Sequence, residues 1–203
     1  MKDSAGGERE SAGAIGLGYG AMQWWFTEAY VKYEKDASEK TKYDAFEWEN
    51  KFQLTEHNRY FFDLGLFTEI EIPRERKSEG YEIAFGPLVQ FDTGPLRWNT
   101  NVFFEKVVRS HEEGPHPTEI GYQIQAAYRL PAGFDVGVQA FGEMGKWNDW
   151  EARDEQKHRI GPAVFGKVKL EGRQAIRYNA AFLLGETPAT PHRTFRLQAE
   201  YEF

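Results

Sequence analysis

A serine nucleophile needs a base held within hydrogen-bond reach by a rigid frame. The five serines of this 203-residue chain, Ser4, Ser11, Ser38, Ser78 and Ser110, fall in the amino-terminal stretch or in charged, turn-rich segments. Ser110-His111 is a neighbouring Ser-His pair, and a loop position reads as solvated rather than catalytic. Cysteine is absent, which excludes thiol nucleophiles, disulfides and thiolate metal ligands together and suits an oxidising compartment. His111, His116, His158 and His192 lie near charged segments with Glu112, Glu113 and Asp154, and imidazole with carboxylate suits zinc or nickel. No spacing presents two of these ligands together, so no metal, cofactor or catalytic residue is expected and the chain does not read as an enzyme. Gly16, Gly18 and Gly20 imitate a phosphate loop but lack the Lys-Ser/Thr and helix that must follow.

Regularly spaced charges carry more information. In the last nine residues, Phe195 to Phe203, apolar and polar residues alternate without a slip. Side chains on a strand point alternately to opposite faces, so Phe195, Leu197, Ala199, Tyr201 and Phe203 share one face and Arg196, Gln198, Glu200 and Glu202 the other. The same period recurs along the chain and predicts eleven strands: Ala12 to Tyr19, Trp24 to Tyr33, Tyr43 to Leu54, Tyr60 to Ile72, Tyr81 to Phe91, Leu96 to Val108, Thr118 to Leu130, Phe134 to Gly145, His158 to Leu170, Ala175 to Leu184, and Thr194 to Phe203. Residues 1–11 are a polar stretch and 12–203 a single barrel domain.

The connections alternate between two classes. The short ones are Gly20 to Gln23, Thr55 to Asn58, Asp92 to Pro95, Pro131 to Gly133 and Glu171 to Gln174; the longer, charged ones are Glu34 to Lys42, Pro73 to Gly80, Arg109 to Pro117, Lys146 to Lys157 and Glu186 to Arg193. Short turns at one end and long loops at the other characterise an outer-membrane barrel. The more apolar phase, including Trp25, Phe46, Trp48, Leu66, Ile83 and Phe85, would then face lipid. Its ionisable exceptions, Asp44, Lys106 and His158, sit near loop-side ends, where a charge costs little.

The opposite phase would line the lumen with Glu47, Asp63, Glu69, Arg97, Glu105, Arg129, Glu143, Arg177 and Arg196, joined by Glu28, Lys32, Glu49 and Lys51. The spacings Glu28/Lys32, Glu49/Lys51 and Arg196/Glu200 predict ion-pair ladders that fill the interior or line a tight polar pore. Gly65, Gly86, Gly121, Gly137, Gly145 and Gly161 share this phase and leave room for Phe67, Phe141 and Phe165.

A soluble barrel would turn the apolar phase inward, and alternation alone does not separate the two. Aromatic placement favours lipid: Trp25, Phe52, Phe62, Phe91, Trp98, Tyr128, Phe134, Tyr201 and Phe203 lie beside the short turns, as an interfacial girdle would. The formal net charge of -7 argues against nucleic acid as a partner. Such a barrel must be exported, yet Met1 to Ser11 lacks a signal peptide's apolar core. Bacterial barrels also have even strand counts. A missing export signal and one missing strand, making twelve, would answer both points; without Ala12 to Tyr19, ten strands need no repair.

Gly18-Tyr19-Gly20, Trp24-Trp25-Phe26-Thr27-Glu28, Phe46-Glu47-Trp48-Glu49-Asn50, Gly86-Pro87-Leu88-Val89-Gln90, Gly161-Pro162-Ala163 and Phe203 resemble an uncharacterised family of proteobacterial outer-membrane proteins. The arrangement is more distantly similar to the porin-like family of phenol-degradation pathways, whose members are thought to move small hydrophobic compounds. The resemblance implies an outer-membrane location without assigning an activity.

The resulting expectation is an up-and-down antiparallel transmembrane β-barrel forming a narrow passive channel for a small solute. Its partners would be outer-membrane lipid and, through the C-terminal strand, the barrel-assembly machinery. Two other functions are consistent with the same pattern: a non-conducting receptor or scaffold acting through loops such as Lys146 to Lys157, with Trp147 and Trp150, and a soluble ligand-binding barrel.

Overall fold

The computed structural model describes residues 2–3, 9–35, 40–111, 114–131, 133–170 and 174–202. Ser4, Ser38, Glu112, Glu113, the turn residues 171–173 and the girdle position Phe203 lie outside them. The strands are β1 (Lys2–Asp3), β2 (Arg9–Met22), β3 (Trp25–Lys35), β4 (Lys42–Gln53), β5 (Asp63–Pro73), β6 (Tyr81–Thr93), β7 (Leu96–Val108), β8 (Glu119–Arg129), β9 (Phe134–Lys146), β10 (Asp149–Trp150), β11 (Lys157–Lys169), β12 (Ala175–Gly185) and β13 (Arg193–Glu202). All eleven predicted segments are strands. No helix among the described residues is long and apolar enough to cross a membrane.

The strands form one antiparallel sheet that curls into an up-and-down barrel. Each long strand pairs with its neighbours in sequence, and β8 pairs with β9. The two-residue β1 joins the ends of the meander, pairing with Arg193 and Thr194 of β13 and with Arg9 and Glu10 of β2. It thus occupies the twelfth wall position, and among the described residues no ladder joins β2 directly to β13. The small β10 extends the β9 hairpin beyond the wall by pairing with Gly145 and Lys146.

Most boundaries shift by one or two residues, and two starts shift by three. Strand β2 begins at Arg9, inside the residues 1–11 read as a polar stretch. Tyr60 to Phe62 precede β5, so the Leu54 to Phe62 connection is as long as several loops at the opposite end. Phe61 and Phe62 meet edge to face at 4.8 Å, and Asp63 caps the turn by accepting from the Asn58 N–H at 3.0 Å. Local polar bonding and ring contact hold these residues in a turn although their apolar run imitates a strand start.

Burial alternates along the wall with the phase inferred from sequence. On β11 and β12, Ala163, Ala181 and Leu183 are buried inside, while Ile160, Val164, Phe182 and Leu184 are exposed outside. Charged Glu28 is 7% exposed, whereas Leu17 is 79% and Leu197 66% exposed. The apolar phase therefore faces outward and the charged phase inward, opposite to a barrel with an oily centre.

Inside, two small apolar clusters sit on opposing walls: Phe67, Ala84 and Phe103 with Leu88, and Ala163, Ala181 and Leu183 with Phe141 and Phe165. Glycines supply close backbone approach more than free volume. A Cβ on Gly161 would fall 1.9 Å from the Phe182 carbonyl oxygen, and one on Gly86 1.7 Å from that of Val102. Each precedes a proline, which has no N–H to donate, and the ladder skips both dipeptides on the side of that close approach. The tight Thr93 to Leu96 turn uses Gly94 at φ +63°, a conformation glycine adopts without Cβ strain.

Candidate functional site: a charge-segregated lumen

Strands β3 to β8 carry a run of glutamates on the inward phase, and the register lines up eight of them. Glu28 stands opposite Glu49, Glu49 opposite Glu69, and Glu69 opposite Ala84; Ala84 faces Glu105, which faces Glu119. A second row runs through Glu47, Glu71 and Glu82. Like charges directly opposite one another destabilise a sheet, so these rows need compensation.

Part of it comes from two lysines. Lys32 reaches Glu47 at 3.1 Å and also bonds Glu71; Lys51 reaches Glu49 at 2.9 Å and also bonds Glu28. The Tyr30 hydroxyl donates to Glu28 Oε1 at 2.7 Å. Carboxylate oxygens of Glu47, Glu49 and Glu69 lie within 4.8 Å of one another, a hard-oxygen grouping not singled out from the sequence. Two of the three are already served by lysine ammoniums. Glu69, Glu82 and Glu105 have no hydrogen bond or ion pair within 4.0 Å among the described residues.

The opposing wall is basic and aromatic. The Arg159 and Arg196 guanidiniums each lie 5.6 Å from the Phe141 ring centre. Arg196 donates to Asn179 Oδ1 at 2.7 Å and Gln198 Oε1 at 3.0 Å; Glu143 at the loop-side mouth takes Lys157 at 2.7 Å and Arg159 at 3.9 Å. At the short-turn mouth Asp92 holds Arg129 at 2.5 Å and Arg97 at 3.5 Å, and Asp63 meets His57 at 2.5 Å. Arg177 stands opposite Lys167 and Glu200 by register.

The lumen-lining residues inferred from sequence thus separate into groups. Glu47, Glu69 and Glu105 come together on the acidic wall; Arg196 faces them; Glu143 belongs to the loop-side mouth; Asp63, Arg97 and Arg129 belong to the short-turn mouth. The expected ladders along single strands are largely replaced by pairs across strands. Lys51 does pair with Glu49, but Lys32 serves Glu47 and Glu71 instead of Glu28, and Gln198 stands between Arg196 and Glu200. Residues four apart on a strand are about 13 Å apart, whereas directly opposed partners approach to about 5 Å. Tyr30, Phe103 and Asn179 escaped the sequence reading because only the register reveals their partners, and Phe141 was read only as an inward bulky side chain without its arginine partners.

Two cavities occupy the lumen. One of about 770 Å³ opens among the short turns and is bounded by Glu49, Glu69, Glu105, Arg196 and a set of aromatic rings. The other, about 360 Å³, lies under the long loops beside Glu143, Arg159 and the Ala189 to Pro191 segment. Both are bounded by Phe103, Glu105 and Gln123, which stand where they meet.

The aromatic residues read from the sequence as a girdle lie, among the described residues, toward the short-turn end. Trp25 stacks with Phe52 at 6.1 Å and Phe91 with Trp98 at 6.0 Å; Tyr128, Phe134 and Tyr201 are exposed, and Phe62 lies in the turn before β5. Trp25 Nε1–H donates to Asn50 Oδ1 and Trp98 Nε1–H to Thr93 Oγ1, both at 3.0 Å, so polar edges are satisfied while ring bodies stay apolar.

The serine–histidine pair has another employment. Ser110 Oγ–H donates to the Ser78 carbonyl at 2.8 Å and His111 Nδ1–H to the Lys77 carbonyl at 2.6 Å, tying the β7–β8 loop to the β5–β6 loop. His158, on the outward phase, is buried between Tyr122, whose hydroxyl meets Nδ1 at 3.0 Å, and Gln156, whose Oε1 meets Nε2 at 2.7 Å.

No family model matches this chain, and no curated protein matches it.

Proposed function

We propose that the chain is a bacterial outer-membrane barrel that passively admits a small solute through its lumen. The observation that carries this reading is the inversion of an ordinary core: exposed apolar side chains cover the outside and partly buried charges line the inside. In water such an exterior would be an aggregation hazard, whereas hydrocarbon is its natural solvent. The aromatic clustering at the short-turn end supports the same reading, since Trp and Tyr favour membrane interfaces. The family resemblance agrees with it and assigns no solute. Among the soluble, scaffold and channel readings, the two cavities meeting inside a polar lumen favour passage.

Planar bilayer recording of the refolded full chain tests the proposal. The expected result is ohmic conductance above background in potassium chloride, and a current indistinguishable from the bare membrane would reject passage.

A further inference from the structure

We propose that the lumen selects a small organic cation, an ammonium group on an apolar or aromatic body. This inference names the solute class of the channel proposed above and rests on that reading. Three observations converge on it. The first is the balance of uncommitted charge. Arg196, the one described arginine bordering the larger cavity, has its donors taken by Asn179 and Gln198 and lies over the Phe141 ring, leaving one positive charge against two carboxylates, while the Arg97 and Arg129 charges share Asp92. By contrast, Glu69 and Glu105 border the larger cavity with no described cation within 4.0 Å.

The second observation is aromatic and independent of the acids. Tyr30, Phe67 and Phe103 border the same cavity, and Phe67 and Phe103 meet edge to face at 5.1 Å. A ring face attracts a cation through its quadrupole and attracts an alkyl or aryl body through burial, while it offers nothing to an anion. A strongly hydrated inorganic ion would use the carboxylates alone; an organic cation uses both chemistries. The third is size, since about 770 Å³ falls within the range of small-molecule sites.

Isothermal titration of the refolded full chain in detergent micelles compares three ligands that share a phenyl ring and differ in charge: benzyltrimethylammonium, neutral benzyl alcohol and anionic benzenesulfonate. The cation is expected to bind saturably, at least about tenfold more tightly than the alcohol, with no binding of the sulfonate. The paired substitution Glu69→Gln with Glu105→Gln relieves like-charge repulsion and so preserves the barrel; it should weaken the cation about tenfold and leave the alcohol unchanged. Phe103→Leu provides a second variant, weakening the cation while keeping every charge. Absent cation binding, equal binding of the sulfonate, or affinity unchanged in both variants would overturn the inference. Cation binding without bilayer conductance would retire the passage and leave the ligand class standing, and conductance without cation preference would do the reverse.

Discussion

Lys51 illustrates how few side chains hold the acidic wall together. Its ammonium bonds Glu28 and lies 2.9 Å from Glu49, and both glutamates are substantially buried. Removing one partner of a buried ion pair costs more than the pair itself contributes, because an uncompensated charge remains. Lys51→Met should therefore destabilise the barrel by about 2–4 kcal/mol, below the fully buried limit because the lumen is open to water. Adding Glu28→Gln should restore part of that loss, which urea unfolding in micelles would register as a midpoint moving back up; a further fall would refute the assigned partnership. Thr190 plays a comparable part in the loops. Its Oγ1 accepts from the His158 N–H at 2.8 Å and contacts Thr187 Oγ1 at 2.6 Å, while Thr187 donates to the Gln156 carbonyl. Thr190→Val leaves a buried donor unmet at a cost of about 1–3 kcal/mol. Limited proteolysis should then cut the Glu186 to His192 segment faster while the barrel core stays resistant, and an unchanged cleavage rate would show that the hydroxyl does not anchor it.

At the scale of the element, the eleven long strands were legible because a period of two survives through most of each, whereas the two-residue β1 and β10 are too short to show one. The same alternation divides the side chains into two sets, and aromatic placement, not the period itself, pointed the apolar set outward. Register was not legible, since each strand alone says nothing about which residue of its neighbour it faces, and the glutamate rows exist only through register. The Leu54 to Phe62 connection hides for a related reason: Tyr60-Phe61-Phe62 is apolar enough to pass for a strand start, while the Asp63 cap depends on a turn conformation. Glycines show the same division between composition and geometry. A methyl group on Gly161 would collide with the Phe182 carbonyl oxygen at 1.9 Å, whereas nothing lies within 4 Å of the corresponding position on Gly13. Gly161→Ala must push β11 away from β12 and should sharply reduce refolding yield, read as the fraction of heat-modifiable, compact species on a gel. Gly13→Ala should refold like the parent, and equal yields for the two would remove close backbone approach as the reason for the glycine.

At the scale of the whole molecule, the decisive question is which solvent the outer wall meets. Alternation in the sequence located two faces without saying which was outside, and the exposure of Ile160, Val164, Phe182 and Leu184 settles only the geometry. Energetics can settle the solvent. Val164 lies in the middle of β11, paired with Val136 of β9 and Ala180 of β12. Replacing it with arginine adds a charge without disturbing any interior contact. In a water-facing wall such a change stays within about 0.5 kcal/mol of neutral. In a lipid-facing wall near the midplane it costs about 2–4 kcal/mol, and the cost fades toward the interfaces. Chemical unfolding in phospholipid vesicles should therefore show a large loss for Val164→Arg and a small one for Ile83→Arg, which adds the same charge at an outward position near the loop-side start of β6. A depth-dependent pair of penalties requires hydrocarbon around the barrel, because water offers no gradient along the wall; two equally small penalties would place the apolar belt against something other than a bilayer.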